Sequence, residues 1–293
     1  MIKGLFQIVG RLMKVMVEVI FTIALIGLCV FVDARYIEPK LLKVKEQRIT
    51  THKLTLEEPL KIVQFSDVHL GKDYSFTDFK RIITKVNALN PDLVIFTGDL
   101  IDDNKTFTEV EKVIELLKMV ESTYGNYAVY GNHDHGGNGT RRYAKIMKES
   151  GFRLLVNENE TITLKNGEKI HLIGIDDIIL SRPDFEAAFK GIETKGYKLF
   201  ISHAPDVVDR LPSEGVVDLQ LSGHSHGGQV RLPIVGAPFT VPYGRKYIKG
   251  LYEVSEREGM LLYVNSGIGT SQLPYRFLNP PEITLFLIES IRE

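Results

Sequence analysis

Apolar residues recur along this chain in three distinct rhythms. Residues 19–32 form one unbroken run, V-I-F-T-I-A-L-I-G-L-C-V-F-V, and Val15 to Val17 extend it beyond Glu18. That is about the shortest stretch able to cross a bilayer as a helix. Blocks of four at 62–65, 93–96 and 127–130 have the length and density of buried strands. Between them the period changes. Phe79, Ile82, Ile83 and Val86 predict a helix over 75–90, with Ser75 as its N-cap and Asn90-Pro91 as its stop. Val110, Val113, Ile114, Leu117 and Val120 predict a second helix over 110–120. Strand, helix, strand, helix, strand is the order of an α/β core with parallel strands. The second half is richer in strands. Segments 161–164 and 169–173 flank Asn166-Gly167, a hairpin signal, and further strands are expected at 199–201, 219–221, 247–254, 260–264 and 283–288. Ser181 and Pro183 open a short helix over D-F-E-A-A-F.

The N-terminal run is read as an uncleaved anchor. A cleaved signal needs small residues after its apolar core, and Phe31-Val32-Asp33-Ala34-Arg35 does not provide them. The expected organisation is a membrane anchor over 1–32, a charged stalk with the first strands over 33–58, and a catalytic domain over 59–293. This places the protein at the cell membrane with a single pass. Lys3, Arg11 and Lys14 precede the run, and Arg35, Lys40, Lys43, Lys45 and Arg48 follow it. Basic residues on both flanks leave the side of the catalytic domain unassigned.

Composition narrows the chemistry. With 44% hydrophobic and 25% charged residues the chain is of ordinary globular type, and a net charge of -1 gives no field for nucleic acid. Cys29 is the one cysteine, so a cysteine-based zinc site is excluded. Any metal must be held by His, Asp, Glu or Asn.

Such residues cluster immediately after the expected strands: Asp67-Val68-His69, Gly98-Asp99, Gly131-Asn132-His133-Asp134, His203, and Gly223-His224-Ser225-His226. In open α/β sheets ligands gather at the carboxyl ends of strands. The i,i+2 spacing of D-V-H and H-S-H would point both members of each pair the same way in extended chain. Asp67, His69, Asp99, Asn132, His203, His224 and His226 make seven donors, more than one ion needs. Two ions about 3.5–4 Å apart, sharing a carboxylate, would use them. Mixed imidazole and carboxylate ligation suits Mn, Fe or Zn. His133, oriented by Asp134, could protonate a leaving oxygen, and Asp102 could support the site or cap a turn. Arg231, Tyr243 and Arg276 are the candidates for phosphate or head-group contact. The remaining histidines, His52, His135 and His171, are read as structural. Gly223 to Gly227 also matches G-x-S-x-G, but no Asp or His follows His226, so a serine-hydrolase order fails.

With these blocks in hand, the sequence resembles the calcineurin-like metallophosphoesterases. D-V-H at 67–69, G-D-L-I-D at 98–102, G-N-H-D at 131–134, His203 and G-H-S-H at 223–226 reproduce that family's signature in order. The resemblance implies a two-sheet α/β sandwich flanked by helices. It implies that Asp67, His69, Asp99 and His226 hold one metal, that Asp99, Asn132, His203 and His224 hold the other, and that His133 assists the leaving group. It implies in-line attack on a phosphate ester or pyrophosphate by a metal-bridging hydroxide. G-H-S-H-G-G-Q-V-R-L-P and S-G-I-G-T-S-Q-L-P-Y-R-F are similar to an anchored or exported bacterial branch grouped with UDP-2,3-diacylglucosamine hydrolases, which points to lipid-linked or envelope substrates. The competing readings are an anchored binding protein that uses metals as structural clamps, and a dinuclear amidase.

Overall fold

The structure, a computed structural model, describes residues 2–212, 217–255, 257 and 259–291. Helix α1 (Ile2–Val32) stands apart from the rest. Its 31 residues, at about 1.5 Å rise each, exceed the ~30 Å hydrocarbon core of a bilayer. From Phe6 to Val32 it is exposed along its whole length, and it is long and apolar enough to cross a membrane.

The remainder is two facing six-stranded sheets. The first holds β1 (Lys43–Thr51), β2 (Leu60–Phe65), β3 (Leu93–Phe96), β4 (Asn126–Ala128), β5 (Phe152–Leu154) and β12 (Glu282–Ser290), in the order β1-β12-β2-β3-β4-β5. The second holds β6 (Glu158–Thr163), β7 (Lys169–Gly174), β8 (Tyr197–Ile201), β9 (Leu219–Ser222), β10 (Gly250–Glu253) and β11 (Leu261–Val264), in the order β10-β11-β9-β8-β7-β6. Strands β2 to β5 run parallel, as the alternating pattern predicts, and β12 enters antiparallel to β2. The hairpin of β6 and β7 turns at Asn166-Gly167, with Gly167 at φ 88°.

Apart from the buried Gln64, the blocks of four are apolar because both faces of these strands are covered. Ile62, Leu93, Ile95 and Val129 meet Leu172, Leu199, Leu219 and Tyr263 between the sheets. The alternate residues Val63, Phe65, Val94 and Phe96 pack outward against α2 (Phe76–Asn87), α3 (Val110–Leu117) and α5 (Thr140–Ser150), while α4 (Asn132–His135) is a single turn at the strand ends. The outer face of the second sheet, with Ile173, Phe200, Leu262 and Val264, is covered by α6 (Phe185–Phe189) and the turn Pro205–Arg210. Ser75 caps α2, its hydroxyl accepting from the Asp78 N–H.

The structure departs from the expected elements in a few places. Helix α5 and strand β5 were not expected, although Tyr143, Ile146 and Met147 carry helical spacing and Gly151 ends the helix at φ 83°. The three glycines Gly136, Gly137 and Gly139 just before α5 read as loop and hide its start. The expected helix over 110–120 stops at Leu117, and the expected strand 247–254 shortens to β10. Strand β4 ends at Ala128, and beyond it Gly131 packs against Asp99, where a Cβ would collide with the carboxylate. Within the stretch 33–58, β1 pairs residue for residue with β12, from Lys43 opposite Glu282 to Thr51 opposite Ser290.

Candidate metal centre

All the strand-end clusters converge at one end of the sandwich. Gln64 ties the two sheets together there: its Nε2 donates to Thr97 Oγ1 at 3.1 Å and to the Ser222 carbonyl at 3.0 Å. The loop after β2 is then pinned on both sides, Asp67 N–H to the Gly98 carbonyl at 2.9 Å and Gly269 N–H to the Asp67 carbonyl at 2.7 Å.

Two groups of donors form. In one, His203 Nε2 lies 3.2 Å from Asp99 Oδ2, and His224 Nδ1 lies 3.2 Å from His203 Nε2. In the other, His69 Nε2 and His226 Nε2 are 3.1 Å apart, with Asp67 Oδ1 at 3.5 Å from His226. Asp99 sits between them, its Oδ2 also 3.7 Å from His69 Nε2. All six of these side chains are buried. Asn132 belongs to the same loops, and its Oδ1 is buried without a hydrogen-bond partner.

The outer nitrogens decide what faces inward. His203 Nδ1 lies 2.7 Å from the Thr97 carbonyl, and His224 Nε2 lies 2.8 Å from the Pro242 carbonyl. A carbonyl only accepts, so both nitrogens must carry hydrogen. In the neutral rings the inward nitrogens are then bare acceptors, facing each other and a carboxylate at hydrogen-bond range. Three buried acceptors with no donor among them are costly unless a cation or a proton joins them. The donor set fits divalent cations in this way, with the outer carbonyls fixing ring orientation.

Electrostatics reflect the crowding. Burial opposes charge on His203, yet Asp99 beside it holds its pKa up at about 10. Asp99 is held well below the usual carboxylate range by His203, against burial. Asp67 is pushed up, chiefly by burial. His224 falls to about 3 through burial and the neighbouring His203. Opposite shifts in adjacent groups mark a cluster of donors around a common centre.

The backbone is equally unusual. Asp67, His69, Asp99, His224 and His226, five of the seven expected ligands, have positive φ between 48° and 66°. Non-glycine residues rarely adopt this region, and such strain concentrates at functional sites. It also corrects the expected geometry: D-V-H and H-S-H converge through left-handed turns, not through the alternation of an extended strand.

Two further expectations are corrected. Asp134 does not orient His133. Its carboxylate accepts from the N–H groups of Asp99 at 2.8 Å, Leu100 at 3.0 Å and Gly131 at 2.8 Å, so it binds the two ligand loops together. His133 is instead held by the Asp102 carbonyl, 2.7 Å from its Nδ1, and its N–H donates to Asp99 Oδ1 at 2.8 Å. Asp102 also lies 3.4 Å from His69 Nδ1, which makes it a positioning residue for two histidines. Arg276 is not an accessible phosphate ligand. It is fully buried, and its guanidinium donates to the carbonyls of Ser266, Gly269 and Asn279. Arg231 donates to the Gly227 carbonyl, and Tyr243 packs under Arg210, 5.3 Å away. A cleft leads to the site between His69, Asp102, His133, Thr270 and Leu273.

Comparison with known proteins agrees with this geometry. Residues 60–228 match the family model described as calcineurin-like phosphoesterase. An uncharacterized metallophosphoesterase of Bacillus subtilis, YkuE, is 39% identical over 88% of this chain and 89% of its own length. An uncharacterized metallophosphoesterase of Campylobacter jejuni, Cj0846, is 30% identical over 97% of this chain and 74% of its own length. A zebrafish protein described as a transmembrane protein with a metallophosphoesterase domain is 30% identical over 78% of this chain and 53% of its own length.

Proposed function

This chain belongs to the calcineurin-like phosphoesterase family, a family of metal-dependent phosphoester hydrolases that use two divalent metals, and on that premise we propose that it acts at a membrane surface on lipid-linked phosphate esters or pyrophosphates. UDP-2,3-diacylglucosamine is one molecule of this class. The apolar helix α1 supports a single-pass anchor for the same site.

We assign one ion to Asp67, His69, His226 and Asp99, and the other to Asp99, Asn132, His203 and His224, with Mn, Fe or Zn as the fitting metals. The observation that carries the assignment is Asp99 Oδ2, set 3.2 Å from His203 and 3.7 Å from His69, between the two groups. Such a pair supplies Lewis acidity, neutralising charge on phosphoryl oxygens and making water acidic enough to attack near neutral pH. The chain's own contribution is positional and acidic. Carbonyls of Thr97 and Pro242 lock the rings of His203 and His224. The Asp102 carbonyl fixes His133 with Nδ1–H outward, which leaves Nε2 to deliver a proton to the leaving oxygen. Burial lowers the pKa of His133, but Asp99 and the Asp102 carbonyl raise it above the ordinary histidine value, which favours the protonated ring.

Metal analysis of the full chain, purified in detergent, should return about two equivalents, with hydrolysis of bis(p-nitrophenyl) phosphate. Asp99→Ala should release metal and lower turnover by on the order of 10³-fold. Turnover within tenfold of the unmodified protein would overturn the assignment. Metal retained with no turnover on a broad ester panel would favour a binding protein with structural clamps, and turnover of amides alone would favour an amidase.

A further inference from the structure

The loop that separates the last ligand, His226, from β10 is apolar and exposed at its tip. From Leu232 to Gly244 it carries no charge, reading L-P-I-V-G-A-P-F-T-V-P-Y-G, and Arg231 on one side and Arg245 and Lys246 on the other bracket it. A tight bridge between Leu232 and Gly236 folds its tip back on itself. Ile234 is fully exposed there, with Val235 at 68% and Phe239 at 75%. Ile234 also sits at φ 71°, a conformation that a β-branched side chain resists. Nothing among the described residues accounts for a strained, solvated isoleucine at a tip.

The loop is attached to the place where α1 leaves the domain. Phe277 N–H donates to the Gln229 carbonyl at 3.0 Å, and Arg231 N–H donates to the Phe277 carbonyl at 2.8 Å. The same strip is bound to the end of the anchor. Arg276 N–H donates to the Ala34 carbonyl at 2.9 Å, Leu278 N–H donates to Glu38 Oε2 at 2.8 Å, and the rings of Phe31 and Tyr275 lie 6.0 Å apart. One strip of chain, 275–279, therefore joins the anchor's exit to the apolar loop. Its upstream neighbours Thr270 to Leu273 line the cleft into the metal centre, and Leu273 is exposed.

We propose that segment 232–242 is a second membrane contact, whose tip enters the bilayer that α1 crosses and lays the cleft of the metal centre against the lipid surface. The occupant is a bilayer, because the strip 275–279 ties the apolar loop to the exit of the apolar helix α1, and the loop has basic residues at its rim, where lipid phosphates lie. Both ends of the loop reach ligands: His226 opens it, and the Pro242 carbonyl at its close holds His224. Seating the loop thus places the site beside the head groups, so an amphipathic phosphoester need not leave the membrane to enter. Seating stands independently of the phosphoesterase reading, and entry from the membrane rests on it.

The chain has no tryptophan, so a single introduced one reports its own surroundings. Full-length Phe239→Trp in phosphatidylglycerol-containing nanodiscs should lose at least half its emission when the acyl chains are brominated. Met119→Trp, exposed at the amino ends of the strands, should lose none. Equal insensitivity of the two would overturn seating. Insensitivity with cross-linking of Phe239→Cys to a second chain would give the patch to another copy instead. For entry, Ile234→Ser with Phe239→Ser should leave bis(p-nitrophenyl) phosphate turnover unchanged and lower that of disc-embedded hexadecyl p-nitrophenyl phosphate about tenfold. Equal turnover ratios for the two esters would overturn entry from the membrane. Inactivity of the unmodified protein on both esters would overturn the phosphoesterase reading while the quenching result still decides seating.

Discussion

Two neighbouring regions of this molecule invert the usual rule of burial in opposite senses. At the strand ends Asp67, His69, Asp99, His203, His224 and His226 are polar and buried. Along α1 and at the loop tip, side chains such as Phe21, Ile23, Ile234 and Phe239 are apolar and exposed. A single exposed leucine or a surface histidine says little, whereas buried polar clusters and broad exposed apolar surface each call for a partner of matching chemistry. For the first region that partner is cationic, since bare imidazole nitrogens and carboxylate oxygens face one another. For the second it is a hydrocarbon phase. The polar region is over-determined, with its loops pinned by Asp134, Gln64 and backbone bonds; the apolar one leaves Ile234, Val235 and Phe239 in solvent. Precision is needed where charge must be placed to a fraction of an ångström, and not where a greasy surface meets a fluid one.

The largest effect that would break this contrast concerns His133, the partly exposed member of the polar group. His133→Ala should slow hydrolysis of an alkyl phosphate ester by about 10²-fold or more, the usual worth of a positioned acid. The loss should be several-fold at most with a p-nitrophenyl ester, whose leaving group needs no proton. Equal losses on both would show that His133 places substrate or metal and does not deliver a proton.

Next comes the scaffold of the buried cluster. Asp134→Ala removes the shared acceptor of three buried N–H groups, at Asp99, Leu100 and Gly131. An unsatisfied buried donor costs roughly 1–3 kcal/mol, and water entering the vacated space recovers part of that, so about 3 kcal/mol of stability should be lost. Denaturant unfolding of the detergent-purified chain measures this. A loss below about 1 kcal/mol would mean that the ligand loops keep their shape without Asp134.

What the residue pattern disclosed follows the same division. The strand blocks were legible because a strand covered on both faces is almost wholly apolar, and Leu93–Phe96 is observed with the expected bounds. The donors were legible because seven metal-binding side chains follow five strands. The role of Asp134 was not, since it acts by accepting main-chain N–H groups; support from Asp102 was expected, but not that its carbonyl would hold His133. Arg276 illustrates the same blindness. An arginine that satisfies three carbonyls in the interior has the same letter as one that waits for phosphate. Nor does residue type reveal that Asp67 and His226 sit at positive φ. The loop 232–242 was legible in principle, since thirteen uncharged residues stand between Arg231 and Arg245. Its prolines and glycines give it no strand or helix period, so a search for periodic elements passes over it.

The smallest effect sharpens the comparison from the apolar side. In a core, replacing isoleucine with a smaller polar residue costs several kcal/mol, because a packed cavity opens and a hydroxyl is buried. Ile234 has no such packing to lose. Its side chain is fully in solvent, and its backbone at φ 71° is strained by the β-branch. Ile234→Ser should therefore change the unfolding free energy in detergent by less than about 0.5 kcal/mol, and Ile234→Gly should raise it slightly by relieving the positive φ. If Ile234→Ser instead cost about 2 kcal/mol, the tip would have to pack against the folded domain. The exposed apolar surface would then be part of the core, and the two regions would no longer stand opposed.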